Sequence, residues 1–329
     1  MAILITGAGI IGSTIARQLL ERGERVVLID VNPNHVAIGS VVGDSKPEIV
    51  TGDITDFDAL VGLIRSRDID SVIHTAAVLS MAILRDPMRG IEVNAMGTTG
   101  ILEAARVLKL RRVVLASSTT LLYPTFGPGE SGPAVEDFSM RAISQAPGTF
   151  YSATKLFNEH VMGLYIRQFG LDAVAVRYAA VLGDWDGPNN SVPGTLLRKF
   201  GEAIRARKSV VLEEPRHVWL GGDEFIDARD VATATIAALF AVEPVQRIYT
   251  IGNGVLSSFD DFVAAGRRIW PELEVNLAVK PTGGFAGFPH IRQYPSDISA
   301  AERELGFVPH YDLAASFARY VDPAGRTNS

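Results

Sequence analysis

The chain has 329 residues, 47% hydrophobic and 21% charged, with a net charge of −6 and no cysteine. That length exceeds the usual single domain and implies one large domain with a smaller lobe. The missing cysteines exclude disulfides, thiolate catalysis and cysteine-ligated metals, and no basic tract interleaved with aromatics points to nucleic acid.

The first thirty residues carry the strongest signal. Ala2–Ile5 reads as a short apolar strand, and Gly7, Gly9 and Gly12 follow it in GxGxxG spacing. The apolar run through Leu20 reads as a helix, and Arg25–Ile29 as a second strand ending on Asp30. This order supplies a tight turn, a close backbone approach and a helix N-terminus for a pyrophosphate, with Ile10 and Ile11 beside it. Asp30, 18 residues beyond Gly12, is spaced to hold a ribose 2′-OH. A carboxylate there would repel a 2′-phosphate, and Val31 and Asn32 bring no cation, so NAD is expected rather than NADP. FAD shares the fingerprint. Met1–Ile5 is too short, and lacks the preceding basic segment, for a signal peptide, and no apolar run reaches membrane-spanning length. A cytoplasmic protein without membrane association is expected.

Alternation of strands and helices continues. Glu48–Val50 is a weak strand near Asp53, and Asp56–Arg67 a helix with Phe57, Leu60, Leu63 and Ile64 on one side. Ser71–His74, Arg112–Ala116 and Ala173–Val176 read as strands, with helices over Ile91–Leu108 and Ser152–Phe169. Strands separated by helical crossovers predict an α/β, doubly wound parallel sheet of the Rossmann type over residues 1–180. Pro124–Pro133 holds Gly127, Pro128, Gly129 and Gly132 and is expected as a loop over the cleft. Residues 181–329 read mainly as a smaller, non-contiguous substrate lobe, with segments near 225–255 returning to the first domain. The lobe's expected elements are a helix over Val192–Ala206 and strands over Val210–Leu212 and Val218–Leu220. Asp230–Phe240 and Phe259–Ile269 are helices able to pack on either lobe. The tail after Pro323 is polar and expected to fray.

Tyr151 and Lys155 are four apart at the start of a predicted helix, on one face and about one turn from each other. They follow an apolar strand that ends in Ser117, Ser118, Thr119 and Thr120, at the carboxyl edge where a doubly wound sheet binds ligands. A phenol has a pKa near ~10; bringing it close to neutrality takes roughly 4 kcal/mol of differential stabilisation. An adjacent ammonium and an oxidised nicotinamide both favour the phenolate. Tyr151 is then the proton-transfer residue of a redox reaction at a secondary alcohol, with Thr119 holding the substrate oxygen.

These stretches resemble an extended short-chain dehydrogenase/reductase of the NAD-dependent epimerase/dehydratase family, from Ile3 to about Pro309. The resemblance lies in TGAGIIG at Thr6–Gly12, GDITD at Gly52–Asp56, HTAA at His74–Ala77, and NAMGTTGILEAA at Asn94–Ala105. It continues through SSTTLLY at Ser117–Tyr123, YSATK at Tyr151–Lys155 and VRYAAVLG at Val176–Gly183. EFIDARDVA at Glu224–Ala232 and SDISAAERELGFVP at Ser296–Pro309 close the series. It implies that Gly7, Gly9 and Gly12 line the pyrophosphate, Asp30 takes the ribose, and Asp53 and Ile54 sit beside adenine. His74, Ala76 and Ala77 border the cofactor largely through backbone. Asn94, Ser117 and Tyr178 complete the nicotinamide side, with Thr119, Tyr151 and Lys155 as the catalytic set.

The departures narrow the chemistry. The family usually has GxxGxxG. Its 4,6-dehydratases carry an Asp-Glu pair where this chain has Thr120 and Leu121, which removes that route to water elimination. Nucleotide-sugar members often place a diphosphate-binding arginine where Asp223 and Glu224 precede Phe225; Arg292, Arg198 and Arg205 are candidate replacements. The turn Asp184–Asn190 offers Trp185, Asp186, Asn189 and Asn190 to a polyol. The six histidines, His35, His74, His160, His217, His290 and His310, show no metal-ligand spacing. No G-x-S-x-G elbow makes Ser117 a hydrolase nucleophile. The leading expectation is an NAD-dependent epimerase of a sugar or nucleotide sugar acting through a transient ketone. The alternative is a dehydrogenase or reductase of a sugar, sugar acid or small secondary alcohol, and a non-catalytic NAD sensor is disfavoured by the intact Thr119, Tyr151 and Lys155. A homodimer is expected through the helices Ile91–Leu108 and Ser152–Phe169, with Val93, Ile101 and Leu102 on one and Val161, Leu164 and Ile166 on the other.

Overall fold

Apolar runs without alternation become strands covered on both faces, as a parallel sheet requires. The computed structural model describes residues 2–44, 46–125, 132–137, 148–188 and 191–322. Its first half contains β1 (Ala2–Thr6), β2 (Val26–Asp30), β3 (Glu48–Thr51), β4 (Ile69–His74), β5 (Arg112–Ser118) and β6 (Ala173–Tyr178). Between them run α1 (Ile10–Glu21), α2 (His35–Val42), α3 (Phe57–Ser66), α4 (Ser80–Ile83), α5 (Pro87–Ile91), α6 (Thr98–Leu108) and α7 (Phe150–Phe169). The second half adds strands β7 (Ala180–Leu182), β8 (Val210–Leu212), β9 (Gly222–Asp227), β10 (Ile248–Ile251), β11 (Leu256–Ser258) and β12 (Val275–Leu277). Its helices are α8 (Val192–Ala206), α9 (Ala228–Phe240), α10 (Phe259–Ile269), α11 (Ser299–Leu305) and α12 (Leu313–Val321).

Seven strands form one sheet in the order β10-β6-β5-β4-β1-β2-β3, with every pair parallel. The chain winds from β1 out to β3, then returns across β1 to β4. The carboxyl ends of β1 and β4, with Thr6 opposite His74, therefore form the topological switch point. Ile15, Leu19, Ile38, Val231 and Phe307 pack on one face of this sheet; Leu60, Ile64, Ile101, Leu102 and Met162 pack on the other. The separate lobe joins β7, β9 and β11 in one small sheet and β8 with β12 in another. Its core is aromatic: Phe200 meets Phe262 edge-on at 5.3 Å, and Trp219 meets Phe285 at 5.1 Å.

The doubly wound sheet is as expected, and the differences have local causes. The predicted helix Ile91–Leu108 divides into the end of α5, a π-helical turn over Glu92–Gly97, and α6. Val218–Leu220 is no strand; Val218 and Trp219 are apolar because they fill the lobe core, and three residues cannot distinguish the two. Of the proline-rich segment, Pro124 is buried at the end of a 3₁₀ turn over Thr119–Thr125. Residues 126–131 of that loop, Asn189, Asn190 and the tail from Pro323 lie outside the described residues. Ile101 and Leu102 face the sheet and are fully buried, so neither is available to a partner.

Candidate active site

The turn after β1 is closed on two sides and open on the third. Gly7 has φ +86°, and a Cβ there would lie 2.7 Å from the Ala76 backbone nitrogen. A Cβ on Gly12 would collide with the Gly7 carbonyl oxygen. Gly9 has nothing within 4 Å of its Cβ position and caps α1 without a side-chain hydrogen bond. The helix N-terminus therefore presents bare backbone toward open space, which fits a pyrophosphate. Asp30 accepts from the N–H groups of Ala8 and Asn32, each at 2.9 Å, tying the turn to β2. Two carboxylate oxygens retain lone pairs for a ribose diol.

On the far side, Asp53 accepts from Thr55 N (2.9 Å), Thr55 Oγ1 (2.8 Å) and Arg89 Nη2 (2.5 Å). Burial works to raise this carboxyl, but the Thr55 and Arg89 hydrogen bonds hold it below the ordinary carboxylate range. Ile54 is buried against Gly97. His74 has both ring nitrogens engaged, Nδ1 with Thr6 Oγ1 at 2.6 Å and Nε2 with Thr98 Oγ1 at 2.9 Å. Burial, then the Lys155 charge, pushes it down to about 3, so it is a neutral strut. Asn94 sits in the π turn; its Oδ1 accepts from Val78 N (2.7 Å) and its Nδ2 donates to Val78 O (2.9 Å). It thereby fixes the strand exit that carries half-buried Ala76 and Ala77.

Helix α7 begins with a capping box between Thr149 and Ser152, which fixes the orientation of its first turn. Lys155 Nζ donates to Ala116 O at 2.6 Å and lies 5.5 Å from the centroid of the Tyr151 ring. Two further Nζ protons remain for other acceptors. Burial pushes the Tyr151 phenol up to about 12, opposed by a hydrogen bond with Ser118. The activation expected from Lys155 is therefore not built into the chain by itself. Burial lowers Lys155 to about 8, and Glu159 one turn later pulls the other way. Thr119 is buried and its Oγ1 donates to Tyr178 O at 3.3 Å. Tyr178 turns its hydroxyl to Thr235 Oγ1, 2.7 Å away, inside the sheet–helix core.

Ser117 points into the protein interior, donating to Glu159 Oε1 at 2.5 Å. Arg177 grips the same carboxylate with two bonds, at 2.8 and 2.6 Å, and both partners are buried. Glu159, Arg177 and Arg89 were not singled out by sequence, and Ser118 was named only as part of the strand end. Glu159 could have been noticed from its i,i+4 spacing to Lys155.

The lobe side holds a second buried network. Tyr123 Oη donates to Asp223 Oδ2 at 2.6 Å; Arg292 reaches Asp223 Oδ1 at 3.3 Å and Glu224 Oε2 at 2.9 Å. Glu224 also accepts from Gly254 N and Ser296 N. Arg198 donates to Gly187 O at 2.6 Å, and Arg205 to Tyr320 O and Val321 O. All three arginines proposed as phosphate ligands are thus engaged with the protein itself. Among the described residues, no group of three His, Asp or Glu side chains could hold a metal, and no helix is long and apolar enough to cross a membrane.

Residues 3–252 match the NAD dependent epimerase/dehydratase family, and the chain belongs to it. It is 25% identical to UDP-glucuronate 4-epimerase 4 of Arabidopsis thaliana, over 98% of this chain and 74% of that protein. Its fold is similar to UDP-glucose-4-epimerase from Stenotrophomonas maltophila with bound NAD and formylated UDP-arabinopyranose (TM-score 0.80, 24% identity, 98% of this chain and 97% of that chain). It is equally similar to the GalE-like L-threonine dehydrogenase from Cupriavidus necator (TM-score 0.79, 24% identity, 98% and 99% covered). The chain is an NAD-dependent enzyme, and NAD fits the open Gly9 edge and the Asp30 carboxylate.

Two glycine substitutions separate folding from cofactor binding. Gly9→Ala should change stability by no more than about 1 kcal/mol while weakening NADH binding. Gly12→Ala should destabilise the fold outright, and thermal melts with NADH fluorescence titrations on both variants check this. Lys155 gives a second expectation. The buried amine titrates near 8 instead of 10.5, so the unfolded chain binds more protons between those values and stability rises with pH through that window. Lys155→Met should stabilise the cofactor-free protein by on the order of 3 kcal/mol at pH 7, and by less as the pH approaches 10.5. Urea unfolding across pH measures it, and destabilisation at pH 7 contradicts it.

Proposed function

With family membership as the premise, we propose that Tyr151 transfers the proton in an NAD-dependent redox reaction at a secondary alcohol of a small, carbohydrate-like substrate. The observation that carries this reading is Tyr151 beside Ser118 and Lys155, at the carboxyl edge of β5. Gly7, Gly9, Gly12 and the α1 N-terminus, with Ile10 and Ile11, would hold the pyrophosphate. Asp30 would hold the adenosine ribose, and Asp53 and Ile54 would border adenine. Lys155 would reach the nicotinamide ribose with its spare Nζ protons. NAD, when bound, supplies the two-electron acceptor and a positive ring charge. Tyr151 Oη takes the hydroxyl proton of the substrate, Ser118 donates to the developing phenolate, and Lys155 stabilises it electrostatically. Thr119 Oγ1, whose proton points at Tyr178 O, keeps lone pairs to orient that hydroxyl. Ser117, Asn94 and Tyr178 act from behind, by fixing α7, the β4 exit and the β6 end.

The net reaction we favour is dehydrogenation of a sugar acid or small polyhydroxy compound, with epimerisation second. Asp223 and Glu224 use Arg292 as their own counter-ion, which leaves that arginine unsuited to a diphosphate. Epimerisation keeps its support from the curated relatives, which are named as 4-epimerases of nucleotide sugars. The experiment incubates the protein and NAD with free sugars, sugar acids and nucleotide sugars, following NADH and product configuration together. One NADH per substrate consumed is expected. A nucleotide sugar that changes configuration without NADH accumulation would overturn the dehydrogenase reading. Tyr151→Phe should cut kcat at least ~100-fold with NADH affinity nearly unchanged; near-normal turnover rejects Tyr151 as the proton carrier.

A second copy of the chain is the partner we infer, in the cytoplasm. Phe157, Leu164 and Phe169 stand exposed along α7, with Met96 exposed on the neighbouring π turn. Apolar residues clustered in this way mark an interaction surface. Sedimentation should give a dimer at micromolar concentration, and Leu164→Glu should shift it to monomer. A monomer at all concentrations for the parent chain rejects the pairing.

A further inference from the structure

A cavity of about 150 Å³ lies between α4 and the start of α8, lined by Met81, Arg85, Ser191, Val192, Arg216 and His217. Its two cations come from opposite sides. Arg85 follows α4 on the nucleotide-binding side, while Arg216 and His217 form a 3₁₀ turn of the lobe. Arg85 is exposed and has no acidic partner among the described residues. Arg216 pairs with Glu214 and donates from Nη1 to Met81 Sδ at 2.9 Å, but its buried Nε has no hydrogen-bond partner. His217 is 1% exposed, and its Nδ1 also lacks one. The 15-residue helix α8 starts at the same wall, adding the partial positive charge of its first turn. Buried polar atoms without partners are uncommon in native proteins, and sites of this kind are completed by water or ligand.

We propose that this cavity binds an anionic group of the substrate, a carboxylate or a phosphate, through Arg85 and Arg216. The assignment rests on the proposed function only in taking the cleft as the substrate's. Helix α4 packs against α7, so the anion would sit on the same side of the sheet as Tyr151. Guanidinium groups suit both oxyanions, since their paired N–H donors match two oxygens at once. The volume falls below the roughly 300–1,000 Å³ of pockets for drug-sized ligands. It suits the acidic end of a small molecule better than a nucleoside diphosphate. Closing the cleft on an anion would bring Arg85 and Arg216 to one ligand, so substrate charge would couple lobe to sheet.

The test uses the full chain loaded with NADH and four probes: glycerate, glycerol, glycerol 3-phosphate and UDP, titrated by calorimetry. Glycerate or glycerol 3-phosphate should bind, and glycerol should not. Arg85→Ala and Arg216→Ala should each weaken the anionic probe by about tenfold to a hundredfold, with NADH affinity unchanged as the control for folding. Glycerate binding assigns a carboxylate substrate, and glycerol 3-phosphate binding a phosphorylated one. UDP binding that depends on both arginines upholds the anion site while overturning the small-substrate dehydrogenase reading, so the two can fail separately. No binding by any anionic probe, or binding indifferent to both substitutions, overturns the site.

Discussion

The polar stripe on the first half of α7 is the constraint on which the rest of this structure depends. Ser152, Thr154, Lys155, Asn158 and Glu159 are all buried, where a helix packing on a sheet would ordinarily carry leucine or valine. Each polar group taken from water must find a partner, and a half-satisfied network would be worse than an apolar core. Glu159 is met by Arg177 and Ser117, Lys155 by Ala116 O, and Asn158 Nδ2 by Asn94 O and Thr98 Oγ1, which leaves Asn158 Oδ1 as the stripe's one orphan among these groups. These partners lie on β5, β6, the π turn and the first residue of α6. Helix α7 is thereby locked in rotation, and Tyr151 inherits its position from that lock.

The same stripe explains an energetic opposition. Burial raises Tyr151 and lowers Lys155, so both groups are biased toward neutrality, the reverse of the phenolate–ammonium pair that proton transfer needs. Glu159 is the nearest built-in correction, holding Lys155 toward its charged form. Its own charge is balanced by Arg177, so it can do this without repelling anion character at Tyr151 too strongly. A positive nicotinamide ring would complete the balance. With Tyr151 as the proton carrier proposed above, the cofactor would be an electrostatic component of the base as well as the redox partner, and acid–base strength would be coupled to cofactor occupancy.

Much of this was legible in the chain. The βαβ opening is encoded by residues that admit few substitutes: Gly7 and Gly12 because backbone approaches them, Asp30 because it accepts a backbone bond from Ala8 in the turn it faces and another from Asn32. Helices with strong local signals fall where expected, with α8 and α10 matching residue for residue. What was not legible depends on tertiary contact. The π turn arises where Asn94 must reach Val78, a demand that no local pattern in Ile91–Leu108 announces. Strand β10 is four residues long and gains its identity only from pairing with β6. Buried pairs such as Glu159–Arg177 and Tyr123–Asp223 join residues 18 and 100 positions apart.

Asp223 and Glu224 show how such contact changes a chemical reading. From sequence the two acids form a repulsive patch facing a phosphate. In the fold both are buried, and an isolated carboxylate there would be untenable. Burial does raise Asp223, while the Arg292 charge and the Tyr123 hydroxyl restrain the rise. Two acids, one arginine and a phenol leave the cluster with a net negative charge of about one if both carboxylates are ionised. That is a poor host for a diphosphate but a serviceable brace between β9, the segment before α11 and the 3₁₀ turn that follows β5. A positive charge for an anionic substrate group would then have to come from elsewhere, and in the site proposed above it comes from Arg85 and Arg216, which line one cavity.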